Sequence, residues 1–114
     1  MLRIMLKSKI HRATITQADI NYTGSIAIDK NLLDAVDIWI GEKVLVVDHT
    51  NGARLETYVI EAPAGSGTIG MNGAAARLMA IGDKISIMAF ALNETPIEPK
   101  KILCNDNNKV LENL

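Results

Sequence analysis

The first third of the chain alternates side chains between the two faces of extended segments, as β-strands do, although polar residues share a face with apolar ones and give no simple buried stripe. Residues 4–15 alternate as one extended segment, and residues 26–28 form a second short strand after a turn. Asp29 or Asn31 can then cap a brief helix, which we expect to end at Gly41. This part of the chain therefore predicts two strands and one short helix.

The middle of the chain predicts a hairpin followed by a long loop. Residues 43–47 are rich in β-branched side chains, and residues 55–60 form the returning strand. Asn51 and Gly52 lie between them, and both tolerate the positive φ of a two-residue type I′ turn. Half of the eight glycines fall within 62–73, so we expect that stretch to be loop.

The last third predicts one helix, one strand and a polar tail. Asn72 is placed to cap a short helix that Gly82 closes, and residues 84–92 alternate as a strand. The segment 96–114 is polar, so we expect it to be frayed or to depend on a partner. Many short strands, two short helices and no β-α-β rhythm predict a mainly β protein, a compact barrel over residues 1–95.

Composition narrows the class of protein. Of the 114 residues 48% are hydrophobic but only 4% are aromatic, so aliphatic side chains must build the core. The net charge of −1 offers no electrostatic reason to bind nucleic acid. No apolar run approaches the ~20 residues that span a bilayer, and charges interrupt the N-terminal segment where a signal peptide needs an apolar stretch. We therefore expect one cytoplasmic domain that binds neither nucleic acid nor membrane.

Several local motifs lack the context that their chemistry needs. Residues 65–70 match a dinucleotide fingerprint, but that site requires a long helix and an acidic residue about 20 positions later, where Phe90 stands. His11 and His49 have no metal-ligand spacing around them. Cys104 is the only cysteine, which excludes an internal disulfide, and no histidine stands beside it in the sequence to activate it. We expect neither a metal site nor a bound dinucleotide.

Four blocks of sequence in a fixed order indicate a known family. They are KSKIHRAT at 7–14, YTGSI at 22–26, RLETY at 54–58 and NGAAA at 72–76. Together, at near-constant spacing from the N-terminus to about Ala91, they resemble the pyruvoyl-dependent aspartate 1-decarboxylases, which make β-alanine for pantothenate synthesis. Four blocks in register are far more specific than any one of them.

The resemblance implies a small double-psi β-barrel that assembles as a homotetramer with active sites between subunits. It also implies self-cleavage between Gly24 and Ser25, which gives a β chain of residues 1–24 and an α chain of residues 25–114. In that family the serine hydroxyl attacks the preceding carbonyl, the amide becomes an ester, and elimination leaves an N-terminal pyruvoyl group as the covalent cofactor. Glycine suits position 24, since it tolerates the strained backbone of such an attack.

The resemblance also assigns the groups that act on L-aspartate. Thr57 supplies part of the donor set for the oxyanion during cleavage, with Asn72 as a further candidate. Strict alternation places Thr57 on the strand face opposite Tyr58, so its role requires a local twist or a backbone contact. The pyruvoyl ketone at Ser25 forms a Schiff base with the substrate amine and accepts the electrons left by CO2. Tyr58 then donates the proton that reaches the α-carbon.

Arg54 and Lys9 are the candidates for binding the second carboxylate of the substrate. Arg54 shares a strand face with Tyr58, roughly 13 Å along it, and its planar fork suits a carboxylate. We assign both cations to the retained β-carboxylate, because stabilising the departing α-carboxylate would oppose its loss.

Small residues and two polar rings complete the predicted site. Gly73, Ala74 and Ala75 lack bulk and offer backbone N–H groups at a helix start, which can cradle an anion. Tyr22 is a candidate for the site wall, and His11 is assigned to structural hydrogen bonding rather than catalysis. The alternative is a non-enzymatic β-barrel binding or assembly module whose chain stays uncut, because barrels of this kind host several functions.

Overall fold

The computed structural model describes residues 1–114, which form nine strands and two short helices. In chain order the elements are β1 (Arg3–Thr14), β2 (Gln17–Asp19), β3 (Ser25–Asp29), α1 (Lys30–Val36), β4 (Lys43–Asp48), β5 (Arg54–Ala62), β6 (Ile69–Asn72), α2 (Ala75–Leu78), β7 (Lys84–Asn93), β8 (Lys100–Cys104) and β9 (Val110–Asn113). The prediction of a mainly β protein with two short helices is confirmed. No helix is both long and apolar enough to cross a membrane.

The strands form one sheet that the first two strands close into a barrel. Their order is β2-β6-β3-β5-β4-β7-β1-β8-β9. β1 pairs antiparallel with β7, β2 pairs parallel with β6, and only Ile15 and Thr16 separate β1 from β2. β1 and β2 thus form one nearly continuous extended segment. It pairs with β7 at one end of the run β6-β3-β5-β4-β7 and with β6 at the other end. Within this run β3 lies between β5 and β6, and the candidate cleavage site is at the start of β3.

Aliphatic side chains fill the barrel, as the composition predicts. The cluster of 20 buried residues contains isoleucine, valine, leucine, alanine, methionine and one cysteine, but no aromatic ring. Trp39 is 75% exposed, and Tyr22 and Tyr58 are also exposed. The aromatic side chains are thus available to surfaces and cavities rather than to the core.

The hairpin of β4 and β5 is confirmed by its antiparallel pairing, but its predicted two-residue turn is wrong. Gly52 has a φ of +76°, whereas Asn51 does not take the positive φ that a type I′ turn requires. Residues 49–53 form a longer connection instead. The Asp48 carboxylate organises it by accepting a hydrogen bond from the Thr50 backbone N–H at 2.7 Å. The Asp48 side chain thus holds a longer loop, and the two-residue turn that Asn51 and Gly52 predicted does not form.

The first helix begins as predicted but ends early. Asp29 is its N-cap, and the Asp29 carboxylate accepts a hydrogen bond from the Asn31 backbone N–H at 2.8 Å. The helix ends at Val36 rather than Gly41, because Asp37 takes the left-handed conformation with a φ of +57°. Aspartate tolerates this conformation better than most residues, so no glycine is needed to end the helix.

The glycine-rich stretch 62–73 is not all loop, because its last four residues, Ile69–Asn72, form β6 between β2 and β3. The prediction that Asn72 caps the second helix is also wrong. That helix, α2, has no side-chain cap, and Asn72 belongs to the strand before it. The short strand is almost fully buried, so its sequence lacks the alternation of apolar and polar residues that predicts a strand.

The loop that resembles a dinucleotide fingerprint is a structural turn held by Asp29. The backbone N–H groups of Gly65 and Gly67 donate to the Asp29 carboxylate at 3.0 and 2.8 Å. Burial alone would raise the pKa of Asp29, but the N–H donors of Gly67, Gly65 and Asn31 hold it below its ordinary value. A carboxylate already occupies the donors that a phosphate would need.

The expectation of a frayed tail beyond residue 95 is wrong. β8 pairs in parallel with β1, and β9 pairs antiparallel with β8. Ile102 and Cys104 alternate into the buried core cluster. Burial raises the pKa of the Cys104 thiol to about 11, so the thiol stays protonated and unreactive near neutral pH.

Candidate active site

A cavity of about 370 Å³ opens beside the junction of Gly24 and Ser25. It is lined by residues from the end of the 20–24 turn, from β5, from β6 and from α2. These residues are Gly24, Leu55, Glu56, Thr57, Tyr58, Asn72, Ala74, Ala75 and Leu78. The structure thus brings six of the predicted site residues to one cavity, from three separate sequence blocks.

Ser25 is the first residue of β3, and its hydroxyl is held in place from two sides. Its antiparallel partner is Asn72, whose Nδ2 donates to Ser25 Oγ at 3.0 Å. Ser25 Oγ in turn donates to the Thr23 carbonyl oxygen at 3.2 Å. Ser25 is 1% exposed, whereas Gly24 before it is exposed. The nucleophile that the resemblance implies is therefore buried and hydrogen-bonded next to an open backbone.

The residue that must be a glycine for steric reasons is Gly73 rather than Gly24. Gly73 has a φ of +68°, and a Cβ there would lie 2.8 Å from Gly24 Cα and 3.2 Å from the Tyr22 carbonyl oxygen. A Cβ on Gly24 would meet no atom within 4 Å. The missing side chain at Gly73 lets the backbone of β6 approach the predicted cleavage site closely.

Tyr58 and Thr57 both reach the cavity from β5. Ile26 pairs with Val59 in parallel register, so the residues before them, Ser25 and Tyr58, are neighbours on adjacent strands. Tyr58 is 40% exposed and Thr57 is half-buried. Although strand alternation separates Thr57 from Tyr58, both line the same cavity. The cavity therefore holds a hydroxyl and a phenol close to the Gly24–Ser25 junction.

The start of α2 differs from the predicted anion cradle in one respect. The Gly73 backbone N–H already donates to the Asp19 carbonyl oxygen at 2.8 Å, so it is not free for a ligand. Ala74 and Ala75 line the cavity. Their small side chains leave room there, which matches the predicted lack of bulk.

Sequence reasoning missed three residues of the cavity wall, which are Leu55, Glu56 and Leu78. Glu56 forms an ion pair with Lys43 on β4 at 2.9 Å. Alternation along β5 already places Glu56 on the same face as Tyr58, so the strand pattern contained the signal for it. An acidic group at the wall, paired with a lysine, contributes to the charge that a substrate meets.

Lys9 and Arg54 do not line the cavity. Val47 pairs with Arg54 on one side and with Ser86 on the other, and Lys9 pairs with Met88. These positions lie on the outer surface of the run β5-β4-β7-β1, together with His11. We call this surface, defined by Lys9, His11 and Arg54, the basic face. Lys9 and His11 lie on β1, whereas Arg54 begins β5, the strand that also carries Tyr58.

His11 takes part in a hydrogen-bonded group of three side chains. His11 Nδ1 lies 3.0 Å from Ser86 Oγ, and His49 Nε2 lies 2.8 Å from the same oxygen. The two rings are 5.4 Å apart and nearly perpendicular. Burial lowers the pKa of His11, and the positive charges of Lys9, His49 and Arg12 lower it further. The prediction had treated both histidines as isolated, because residues 11, 49 and 86 meet only through tertiary pairing.

Tyr22 lies away from the cavity. It is 55% exposed and lines a separate groove of about 420 Å³, which also contains Gln17 and Ile60. The two cavities share only Asn72 among their lining residues. No group of three or more His, Cys, Asp or Glu side chains is arranged to hold a metal ion.

Comparison with known proteins agrees with this geometry. The family model described as aspartate decarboxylase matches residues 1–111. A protein of Bacillus cereus (strain ATCC 10987 / NRS 248) named aspartate 1-decarboxylase is 51% identical over 118 aligned positions, covering 100% of this chain and 93% of the relative. A Bacillus thuringiensis (strain Al Hakam) protein of the same name is 50% identical with the same coverage. The chain belongs to the aspartate decarboxylase family.

Proposed function

We propose that this protein decarboxylates L-aspartate to β-alanine and CO2, using a pyruvoyl group that it makes from its own Ser25. β-Alanine produced in this way feeds pantothenate synthesis. The observation that carries the proposal is the Gly24–Ser25 junction: a buried hydroxyl bound by Asn72 follows an exposed glycine at the wall of a cavity. Full-length similarity to aspartate 1-decarboxylases supports it.

The residues around the junction fit the formation of a pyruvoyl group. Ser25 supplies the hydroxyl that attacks the Gly24 carbonyl, and Asn72 fixes its position at 3.0 Å. Gly73 lacks the Cβ that would collide with Gly24 Cα, so the backbone can approach and adjust during the attack. We assign Thr57 to donating a hydrogen bond to the oxyanion, because its side chain lines the same cavity.

In the mature enzyme the chain positions aspartate and supplies a proton. The pyruvoyl group provides an electron sink for the bond that breaks as CO2 leaves. Tyr58, adjacent to Ser25 on the neighbouring strand, holds the phenol proton for the carbon that loses CO2. Ala74 and Ala75 leave room for the substrate beside Tyr58. Decarboxylation replaces a C–C bond by a C–H bond, so each turnover takes up one proton.

The basic face explains why we also propose a homotetramer with active sites between subunits. Lys9 and Arg54 are suited to hold the β-carboxylate, but neither lines the cavity of its own chain. In the assembly, the basic face of a second copy packs over the cavity. That copy then supplies Lys9 and Arg54 next to Tyr58 of the first copy. The site is then complete only in the assembly.

Intact-mass measurement tests the self-cleavage directly. We expect two chains, residues 1–24 and 25–114, the second starting with pyruvoyl and lacking the serine amine. Ser25→Ala should remain a single chain of full length and show no decarboxylase activity, because no other hydroxyl follows Gly24. Ser66→Ala, in the exposed glycine loop, is the matched control and should cleave normally.

The alternative function, a binding or assembly module, predicts a different outcome of the same experiment. A wild-type protein that keeps one full-length mass after long incubation, and releases no CO2 from aspartate, would overturn the enzyme proposal. An active Ser25→Ala variant would overturn the role of Ser25.

A further inference from the structure

The group formed by His49, Ser86 and His11 runs from solvent to the basic face. Ser86 alternates with the core residues Ile85 and Ile87 on β7, so its side chain points outward, yet it is only 1% exposed. The two imidazoles contact its hydroxyl at 2.8 and 3.0 Å. His49 is exposed and His11 is half-buried. A buried hydroxyl therefore connects an exposed ring with a ring on the basic face.

Proton counting couples the two rings. Proton transfer from one ring to the other through Ser86 requires its hydroxyl, which has a single proton, to donate to one imidazole and to accept from the other. If Ser86 donates to His11 Nδ1, His49 donates its Nε2–H, and both rings are Nε2–H tautomers. In the reverse direction both are Nδ1–H tautomers. Because the nitrogens that face Ser86 differ in type, the two histidines must share one named tautomer.

We propose that His49, Ser86 and His11 form a proton relay that delivers solvent protons to the active site through the basic face. This inference rests on the proposed function, in which each turnover consumes one proton. Lys9, assigned to the substrate carboxylate, lies on the same face as His11, so the relay ends where the substrate binds. Tyr58 gives its phenol proton to the substrate carbon, and the relay then supplies Tyr58 with a new proton.

Each passage through the relay balances. A solvent proton binds His49 Nδ1, and the His49 Nε2 proton moves to Ser86 Oγ. The Ser86 proton then moves to His11 Nδ1, and His11 releases the proton on its Nε2. One proton enters and one leaves, no electrons are exchanged, and both rings end as Nδ1–H tautomers. Return through Ser86 would carry the proton back, so each ring instead rotates away from Ser86 and changes tautomer by exchanging protons with solvent, with no net proton transfer.

The charges around His11 favour release rather than storage of the proton. Lys9 and Arg12 come from β1 itself, and His49 comes from the β4–β5 connection. All three groups lower the pKa of His11, in addition to burial. An imidazolium formed at His11 is thus a stronger acid than an exposed one, which suits a group that passes a proton onward.

The first test is nitrogen NMR of the cleaved protein, whose only two histidines are His11 and His49. Above the pKa of both rings, we expect His11 and His49 to show the same tautomer. In Ser86→Ala the two rings should lose this match, and their titrations should become independent. Opposite tautomers in the wild type, or titrations that Ser86→Ala leaves unchanged, would overturn the relay.

The second test compares kinetics across pH. Ser86→Ala and His49→Gln should each lower kcat by about 10-fold, with KM nearly unchanged. This effect on kcat is less than the ~10²–10⁴-fold contribution of a group that transfers a proton directly to the reacting atom. Ser86→Thr should restore most of kcat, because threonine keeps the hydroxyl. His49→Gln can still hydrogen-bond to Ser86 but cannot pass a proton, so it separates the relay from simple positioning. If both Ser86→Ala and His49→Gln keep the wild-type kcat and pH profile, the relay does not operate.

Self-cleavage provides the control that separates this inference from the proposed function. Ser86 lies on β7, three strands away from Ser25 on β3, so Ser86→Ala should cleave to the same two chains as the wild type. Ser8→Ala removes another buried serine hydroxyl, one that donates to the Val36 carbonyl oxygen, and should not change the histidine tautomers. A wild-type protein that fails to decarboxylate aspartate would contradict the proposed function, whereas the NMR experiment would still decide whether the histidines are linked.

Discussion

The cavity at the Gly24–Ser25 junction and the basic face are built in different ways. The cavity uses neighbouring strands β3, β5 and β6, so one chain brings Ser25, Tyr58 and Asn72 together. The basic face extends from the start of β5, where Arg54 lies, to Lys9 on β1, and neither cation lines the cavity. Under the proposed function, the residues assigned to cleavage therefore lie within one chain, whereas those assigned to the substrate carboxylate act from a second copy.

Because of this difference, we expect substitutions in the two regions to have different effects. Changes in the cavity should affect self-cleavage or the chemical step of the chain that carries them. Changes on the basic face should weaken substrate binding, and a second copy with an intact face should be able to compensate.

The largest effect is expected for Tyr58→Phe. Loss of the phenol proton should lower kcat by about 10²–10⁴-fold, the usual contribution of a positioned general acid, while the ring still fills the cavity wall. Intact mass should show normal cleavage, because Ser25 and Asn72 are untouched. Rapid-quench assays of CO2 release then measure the chemical step. A cleaved Tyr58→Phe enzyme with wild-type kcat would remove Tyr58 from the mechanism.

A smaller effect is expected for Arg54→Ala on the basic face. Loss of one charge-assisted hydrogen bond, worth roughly 1.5–3 kcal/mol, should raise the KM for aspartate by about 10- to 100-fold. Arg3→Ala, at the exposed start of β1, is the control and should leave KM unchanged. Native mass spectrometry of the cleaved protein reports whether tetramers form.

Mixing the two variants tests whether sites are shared. Tetramers co-assembled from Arg54→Ala and Tyr58→Phe subunits contain some sites with an intact Tyr58 from one copy and an intact Arg54 from another. At aspartate concentrations well below the KM of Arg54→Ala, we expect the mixture to be more active than either parent, because the shared sites bind substrate with the wild-type KM. No gain in a confirmed hybrid would mean that Arg54 acts on the cavity of its own chain.

The sequence predicted the cavity better than the basic face, for a physical reason. The family resemblance assigned the blocks around Ser25, Tyr58 and Asn72 to one site, and they meet because β3 pairs with both β5 and β6. The resemblance made Asn72 a candidate for assisting cleavage, and its side chain binds the Ser25 hydroxyl, whereas the local pattern wrongly predicted a helix cap. A local capping pattern could not anticipate an antiparallel partner from a strand hidden in a glycine-rich stretch.

Tertiary pairing also explains what sequence reasoning missed elsewhere. His11, His49 and Ser86 are far apart in the chain and meet because β1 and β4 both pair with β7. The tail was expected to be frayed because Asn105–Lys109 is polar, but Ile102 and Cys104 before that run pack into the core. The polar composition of residues 105–109 indicates the turn correctly, but it does not reveal β8, the strand that precedes it.

The smallest predicted effect compares two glycines at the cavity. Gly73→Ala should destabilise the precursor by about 1–3 kcal/mol, because its φ of +68° strains a side chain and its Cβ would lie 2.8 Å from Gly24 Cα. Gly24→Ala should change stability by less than about 0.5 kcal/mol, since its Cβ would meet open space. Urea unfolding of both variants in the uncut Ser25→Ala background measures the difference without interference from cleavage. Equal stabilities would contradict the steric role that the close approach to Gly24 gives to Gly73.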